Sequence, residues 1–229
     1  MKNNKQVLII ISIVLIVVVL LGVSYYAYRR YNSHNLLYKH YYERVDMFES
    51  ENIKLKENGV DVLFLGDSLT EMYDLDYFYP QFKTANRGIN GDTTFMLYDR
   101  LDVSAYVVQP KVCVMLIGTN NYRDMFENYE QILIDLQKNL PDTKIVILSL
   151  TPVSKGWTAD NTLVKSHNTK IKELANKYSY TYVDVFTPLY DSDNDSLRAD
   201  FALDVVHLNH EGYKTVTDKL TPILEDLIR

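Results

Sequence analysis

The sequence predicts a three-layer α/β/α domain on a five-stranded parallel sheet, preceded by a transmembrane helix. Three observations carry that expectation. Downstream of Gly59, apolar strand-like runs alternate with helix-like segments; three of those runs end in glycine followed by small polar residues; and one long apolar stretch lies near the N-terminus. Strict alternation of this kind is how a parallel sheet reads in one dimension, because each return to the same edge needs a crossover, usually a helix. The 229 residues are 47% hydrophobic and 24% charged, an ordinary globular composition with room for one domain once residues 1–28 are set aside.

From Val7 to Val23 the chain is apolar except for Ser12 and Gly22, and Tyr25, Tyr26, Ala27 and Tyr28 carry it on to Arg29-Arg30. A helix of about 22 residues spans a hydrocarbon core of about 30 Å, and the tyrosines fall where an interfacial belt would lie. The competing reading is a cleaved signal peptide, with Lys2 and Lys5 as its basic start and Gly22-Val23-Ser24 as a weak small-residue site, so that secretion is the alternative location. The run is long for that purpose, and residues 1–28 are read as a single-pass anchor in the cell membrane. A short N-terminal stub usually stays inside, which puts the rest of the chain outside the cell, although Lys2 and Lys5 are nearly balanced by Arg29 and Arg30. Residues 29–58 follow as a helical stalk, with Leu36, Leu37, Tyr41, Val45 and Phe48 at roughly helical spacing.

The domain is expected over residues 59–229. Its strands are read at Val60 to Leu65, Thr84 to Arg87 (the most polar and weakest run), Lys111 to Ile117, Lys144 to Leu150 and Tyr180 to Val185. Between them the helical candidates are Ser68 to Met72, Thr93 to Leu101, Asn128 to Leu140 and Asn161 to Tyr178. A last helix is expected from about Glu211 to Ile228, where Val216, Leu220, Ile223, Leu224 and Leu227 recur at i, i+3, i+4 spacing. This order suits a flavodoxin-like arrangement. The single cysteine, Cys113, falls inside an apolar strand and reads as a small buried hydrophobe.

In an open parallel sheet, ligands bind beyond the carboxyl ends of the strands. There the sequence places Gly66-Asp67-Ser68-Leu69, Gly88-Ile89-Asn90-Gly91-Asp92-Thr93-Thr94 and Gly118-Thr119-Asn120-Asn121. A serine that ends a strand and opens a helix keeps its own backbone N–H free to face a developing oxyanion. The backbone of Gly91 and the side-chain amide of Asn120 supply two more donors. A serine hydroxyl also needs a base. Of the five histidines, two lie in the stalk, His167 sits in a polar helical stretch and reads as a solvated surface residue, and His210 reads as a cap of the last helix. His207 differs, because Asp204 three residues earlier reaches its imidazole from the same turn and can hold its tautomer. Taken singly, each of these features also suits a turn glycine, a helix cap or a surface turn.

The blocks Gly66-Asp67-Ser68-Leu69, Gly91, Gly118-x-Asn120 and Asp204-x-x-His207, in that order, resemble those of the SGNH, or GDSL, hydrolase family, over essentially the whole stretch from Val60 to Arg229. The resemblance implies Ser68 as nucleophile, His207 as base oriented by Asp204, and an oxyanion hole made by the Ser68 N–H, Gly91 and Asn120. The forms Gly91-Asp92-Thr93-Thr94 and Gly118-Thr119-Asn120-Asn121 are similar to the branch that includes the platelet-activating-factor acetylhydrolase catalytic subunits. Two departures stand out: Asn121 is neutral where an acid is also common, and Val205 replaces the usual glycine of Asp-Gly-x-His.

The expected activity is hydrolysis of small acyl esters of a glycan or lipid through an acyl-enzyme, with no metal and no organic cofactor. Transfer of the acyl group to a sugar hydroxyl is the alternative, and a catalytically silent surface module is a third reading that intact Ser68, His207 and Asp204 disfavour. A net charge of −6 offers no basic field for nucleic acid. The acidic run Asp191-Ser192-Asp193-Asn194-Asp195 lacks the glycine and distal glutamate of a calcium loop and reads as solvated. Asp67 is read as a loop-fixing residue. Tyr73, Asp74, Tyr77, Phe78 and Trp157 are left outside the site, since aromatic residues at a strand edge are as often core as pocket.

Overall fold

The computed structural model describes residues 2–229, with the side chains of 2–13, 33 and 34 outside the description; these include Lys2 and Lys5, which bear on orientation, and His34. The chain forms two units, residues 1–42 and 43–229. The first is the leading part of helix α1 (Lys2–Asn58). Its large apolar side chains from Val14 to Val23 are all well exposed, as are Leu36 and Leu37, so the spacing of those two leucines does not mark a packed face within this unit. By length and composition α1 is able to cross a membrane, a property that a signal sequence shares.

The second unit begins with the last turns of α1 and continues through β1 (Val62–Gly66), α2 (Ser68–Glu71), α3 (Leu75–Phe78), β2 (Thr84–Gly88) and α4 (Thr94–Asp99). A π-helical turn at Asp102–Tyr106 precedes β3 (Val112–Leu116), α5 (Phe126–Asn139), β4 (Lys144–Leu148), α6 (Asn161–Lys177) and β5 (Thr181–Val183). The chain ends with α7 (Phe186–Leu189), the two-residue strands β6 (Tyr190–Asp191) and β7 (Ser196–Leu197), and α8 (His210–Ile228). The five expected strands form one parallel sheet in the order β2-β1-β3-β4-β5.

Strand residues alternate between two cores, as the pleat requires. Leu63, Leu65, Cys113, Met115, Ile145 and Ile147 face one cluster together with Leu97 of α4, Ile132 and Leu136 of α5 and Val164 and Ile171 of α6. Val62, Phe64, Val114, Leu116, Val146 and Leu148 face the other, with Val216, Leu220 and Leu224 of α8. The three-layer reading and the buried Cys113 are therefore observed.

Register is what positions the site. Gly66 pairs with Gly88 on one side and with Leu116 on the other, so β1, β2 and β3 end level and their loops emerge at one edge. Gly66 and Gly88 are required there. A Cβ on Gly66 would run into the Thr70 side chain and the Leu116 carbonyl, and one on Gly88 would run into the backbone nitrogen of Glu71. The chain needs both glycines to lay α2 across the ends of β1 and β2.

Candidate active site

Ser68 is the first residue of α2 and is 6% exposed. Asp67 caps this helix by accepting from the Leu69 N–H at 3.0 Å, as its loop-fixing role predicts. At the first helical position the Ser68 N–H lies outside the helical ladder. Burial pushes the Asp67 carboxyl up to about 7, with the Leu69 N–H acting against the rise and Asp92 adding to it. The backbone and hydroxyl of neighbouring Thr119 also act against the rise.

Gly91 is a central residue of a turn that the Asp92 N–H closes onto the Ile89 carbonyl at 3.1 Å, and its φ of 78° favours glycine. That turn's own hydrogen bond leaves the Gly91 N–H out. Asn120 Nδ2 donates to the Asp92 carbonyl at 2.8 Å, which brings the amide beside Gly91 and leaves its second hydrogen for another acceptor. Asn121 ties the same two loops together. It accepts from the Thr94 N–H at 3.3 Å and donates to the Thr94 hydroxyl at 2.9 Å and to Asp124 at 3.0 Å. A neutral residue serves better than an acid here, because it must donate as well as accept.

Facing this edge, His207 Nε2 lies 3.0 Å from Ser68 Oγ, and His207 Nδ1 lies 2.7 Å from Asp204 Oδ2. The other oxygen of Asp204 accepts from the backbone N–H groups of Val206, at 2.9 Å, and His207, at 2.8 Å. Burial acts to raise the Asp204 carboxyl, but these bonds, led by that from the His207 ring, outweigh it and bring the group down to about 2. With Val205 in place of glycine the turn still forms, anchored where the Val205 carbonyl accepts from the Ser154 N–H at 2.7 Å. Ser68, His207 and Asp204 thus form one hydrogen-bonded line, with the loop of Gly91 and Asn120 beside the serine. Such an arrangement can move a proton from hydroxyl to imidazole and meet a negative oxygen with backbone and amide donors.

The expectations for two histidines are corrected, while the acidic run is exposed as expected. His210 does not cap α8: Asn209 does, accepting from the Gly212 N–H at 3.0 Å, while the His210 ring packs on Tyr77 and Phe78 at 5.0 and 5.1 Å. His167 is half-buried beside Phe126, at 5.1 Å, and burial lowers its pKa. Tyr73 is core, bonded to Tyr79 and Thr217. The acidic run is the turn of the β6–β7 hairpin, where Asp191 accepts from the backbone of Asp193 and Asn194.

Sequence reasoning missed a buried charged platform behind the serine. Arg100, 1% exposed, holds the fully buried Asp92 by two bonds of 2.9 and 2.6 Å and donates to the Gly66 carbonyl at 3.1 Å. Asn86 joins β2 to α2, accepting from the Gly88 N–H at 2.9 Å and donating to the Thr70 carbonyl at 2.8 Å. An arginine eight residues after an aspartate carries no local signal of burial; only its tertiary partners reveal it.

The model of the GDSL-like Lipase/Acylhydrolase family matches residues 64–215. The alpha2 subunit of platelet-activating factor acetylhydrolase IB from Homo sapiens is 29% identical over 189 residues, covering 76% of this chain and 80% of that protein. A solved structure from Streptococcus pneumonia, titled as that of a platelet activating factor, superposes with a TM-score of 0.77 at 27% identity, covering 83% of this chain and 95% of its own. An acetylxylan esterase from Geobacillus stearothermophilus shares the fold, with a TM-score of 0.59 at 17% identity over 72% of this chain and 94% of its own.

Proposed function

The chain belongs to the GDSL-like lipase/acylhydrolase family and is an ester-hydrolysing enzyme, and from that premise we propose that it is a membrane-anchored serine esterase that removes small, acetyl-like acyl groups from a glycan or lipid. The observation that carries the proposal is the line from Ser68 Oγ to His207 Nε2, 3.0 Å, and from His207 Nδ1 to Asp204 Oδ2, 2.7 Å.

In this reading Ser68 Oγ attacks the ester carbonyl as His207 takes its proton, and Asp204, kept ionised, orients the ring and balances the imidazolium. The N–H groups of Ser68 and Gly91 and the amide of Asn120 receive the oxyanion. The intermediate collapses as His207 returns the proton to the departing alkoxide oxygen, leaving an acyl-serine and a free alcohol. Water, deprotonated by His207, attacks the acyl-serine; the second tetrahedral intermediate releases the carboxylic acid and restores the Ser68 hydroxyl. Each donor to the oxyanion is worth about 3 kcal/mol of barrier.

The acetylhydrolase relative supports the small acyl group. The exposed apolar helix from Val14 supports a single membrane span that holds the enzyme outside the cell, with residues 29–58 as its stalk up to the point, at Glu43, where the chain joins the enzyme's own unit.

The test uses the full chain in detergent with p-nitrophenyl acetate, butyrate and palmitate, comparing the parent with Ser68→Ala. Turnover of acetate over palmitate, lost in Ser68→Ala, is the expected result. Equal turnover by both proteins rules out Ser68 as nucleophile, and a preference for palmitate rules out the small acyl group. Recovery of a shortened chain from the culture medium would replace the anchor with a signal peptide.

A further inference from the structure

The loop that carries Gly91 is gripped from behind by the last turns of α1. Arg44 Nη2 donates to the Gly88 carbonyl at 3.0 Å, and Arg44 Nε lies 3.6 Å from Glu71 Oε1. The second oxygen of Glu71 accepts the Asn90 N–H at 2.5 Å. Glu71 closes the short helix that begins at Ser68. One guanidinium therefore links the helix of the serine to both sides of the peptide run that leads into Gly91.

The far end of the loop is tied to the same stretch of α1. Phe48 is fully buried, and its ring centre lies 4.9 Å from the guanidinium carbon of Arg44, 4.4 Å from that of Arg87 and 5.7 Å from that of Arg100. Arg100 holds Asp92, the residue after Gly91, while Arg87 is held by Glu51 at 2.5 Å and Asn52 at 2.9 Å. The ring face suits these cations, and Glu51, Glu71 and Asp92 balance the three charges.

We propose that Arg44 and Phe48 are positioning residues that hold the Gly91 N–H in line for the oxyanion, which makes the end of α1 a working part of the enzyme rather than a passive stalk. The proposal rests on the reading of Gly91 as an oxyanion donor. A glycine turn has wide backbone freedom, so a donor placed on it needs an outside restraint to stay preorganised. Arg44 holds Gly88 directly and Asn90 through Glu71, Phe48 packs against the arginine that fixes Asp92, and Gly91 is spanned between them.

The experiment measures kcat and KM of the full chain in detergent on p-nitrophenyl acetate for Arg44→Ala, Arg44→Lys and Phe48→Leu, with Ser68→Ala and the exposed Glu49→Ala as controls. Misplacing a catalytic group by about 1 Å costs about a hundredfold in rate, so Arg44→Ala and Phe48→Leu should lower kcat about tenfold to a hundredfold with KM little changed. Arg44→Lys should recover part of the loss, since an ammonium can reach the Gly88 carbonyl or Glu71 but lacks the fork that spans both. Inactivation by a fluorophosphonate, whose phosphoryl oxygen occupies the oxyanion site, should slow in parallel. Glu49→Ala should match the parent.

Unchanged kcat in Arg44→Ala, confirmed folded by its melting temperature, overturns the proposal, as does a loss seen only in KM. Should Phe48→Leu fail to fold, Arg44→Ala, altered at a side chain 18% exposed, carries the test alone. If Ser68→Ala keeps its activity, the serine reading itself has failed. If Ser68→Ala is dead and Arg44→Ala keeps full kcat, only the positioning role has failed.

Discussion

The turn that carries Asp204 and His207 and the platform that carries Asp67 and Asp92 place carboxylates on either side of Ser68 and treat them in opposite ways. Asp204 has a side chain 49% exposed, accepts three hydrogen bonds and is held down to about 2. Asp67 and Asp92 are fully buried, and desolvation pushes them up to about 7 and about 6, in the second case against the pull of Arg100. Donors and water, not burial, keep a carboxylate charged. In the proposed mechanism the group that stays ionised beside an imidazolium is the one on the small exposed turn, while the buried acids hold backbone in place. Changes in the turn should therefore act mainly on rate with a small effect on stability; changes in the platform should cost stability first, and rate in so far as they loosen the Gly91 loop.

The largest expected effect breaks the turn. Asp204→Asn presents a donor to His207 Nδ1 and favours the wrong tautomer, so kcat should fall about a thousandfold to ten-thousandfold. With a half-exposed side chain its melting temperature should stay within a few degrees of the parent's. A fall of less than tenfold would mean that something other than Asp204 orients the ring. The next effect breaks the platform. Arg100→Met leaves Asp92 buried without its partner, at a cost of about 3–5 kcal/mol in urea unfolding. Wild-type stability in that variant would show that Asp92 escapes the burden by taking up a proton or water. Gly88→Ala lies between the two regions, because its new methyl meets the Glu71 backbone. Overpacking of that kind costs about 1–3 kcal/mol, and the change should lower kcat as well, since α2 carries Ser68.

The same contrast explains what could be read from the chain. That Ser68, Gly91, Asn120, Asp204 and His207 come together at one edge was legible because each belongs to a short block at a strand end or turn, where local residue types declare a local geometry. The sheet was legible down to the polar strand β2, whose Thr84 and Asn86 alternate with the buried Ala85 and Arg87. The platform was not legible, because Arg87 and Arg100 are charged residues that only their distant partners allow to be buried. Helices α3 and α7 span four residues each, too few to show a period. The spacing of Phe48 marks it only as an apolar position of a helix; its place among three arginines is a tertiary fact with no trace in that spacing. Asn209 as the cap of α8 was legible in principle, since asparagine is a favoured cap, but the neighbouring His210 drew the reading away.

The smallest expected effect is also the one that separates the two regions most cleanly by pH. Asp67 has a folded pKa of about 7 against an ordinary 3.8. A group raised in this way favours folding when protonated: its contribution is fully present below about 4 and is lost as pH rises through about 7. Asp67→Asn keeps an oxygen for the Leu69 N–H and never ionises. The variant should melt a few degrees above the parent at pH 8, with the gap closing as pH falls through 7 and gone near pH 4. Asp204, lowered instead of raised, has the opposite sign: its contribution is present above about 3.8 and is lost as pH falls towards about 2. Melting curves of the parent, Asp67→Asn and Asp204→Asn across that range would display both signs. A gap for Asp67→Asn that widens on acidification would mean that the Asp67 carboxylate is stabilised in its charged form by the helix it caps, and that burial is not what governs the platform.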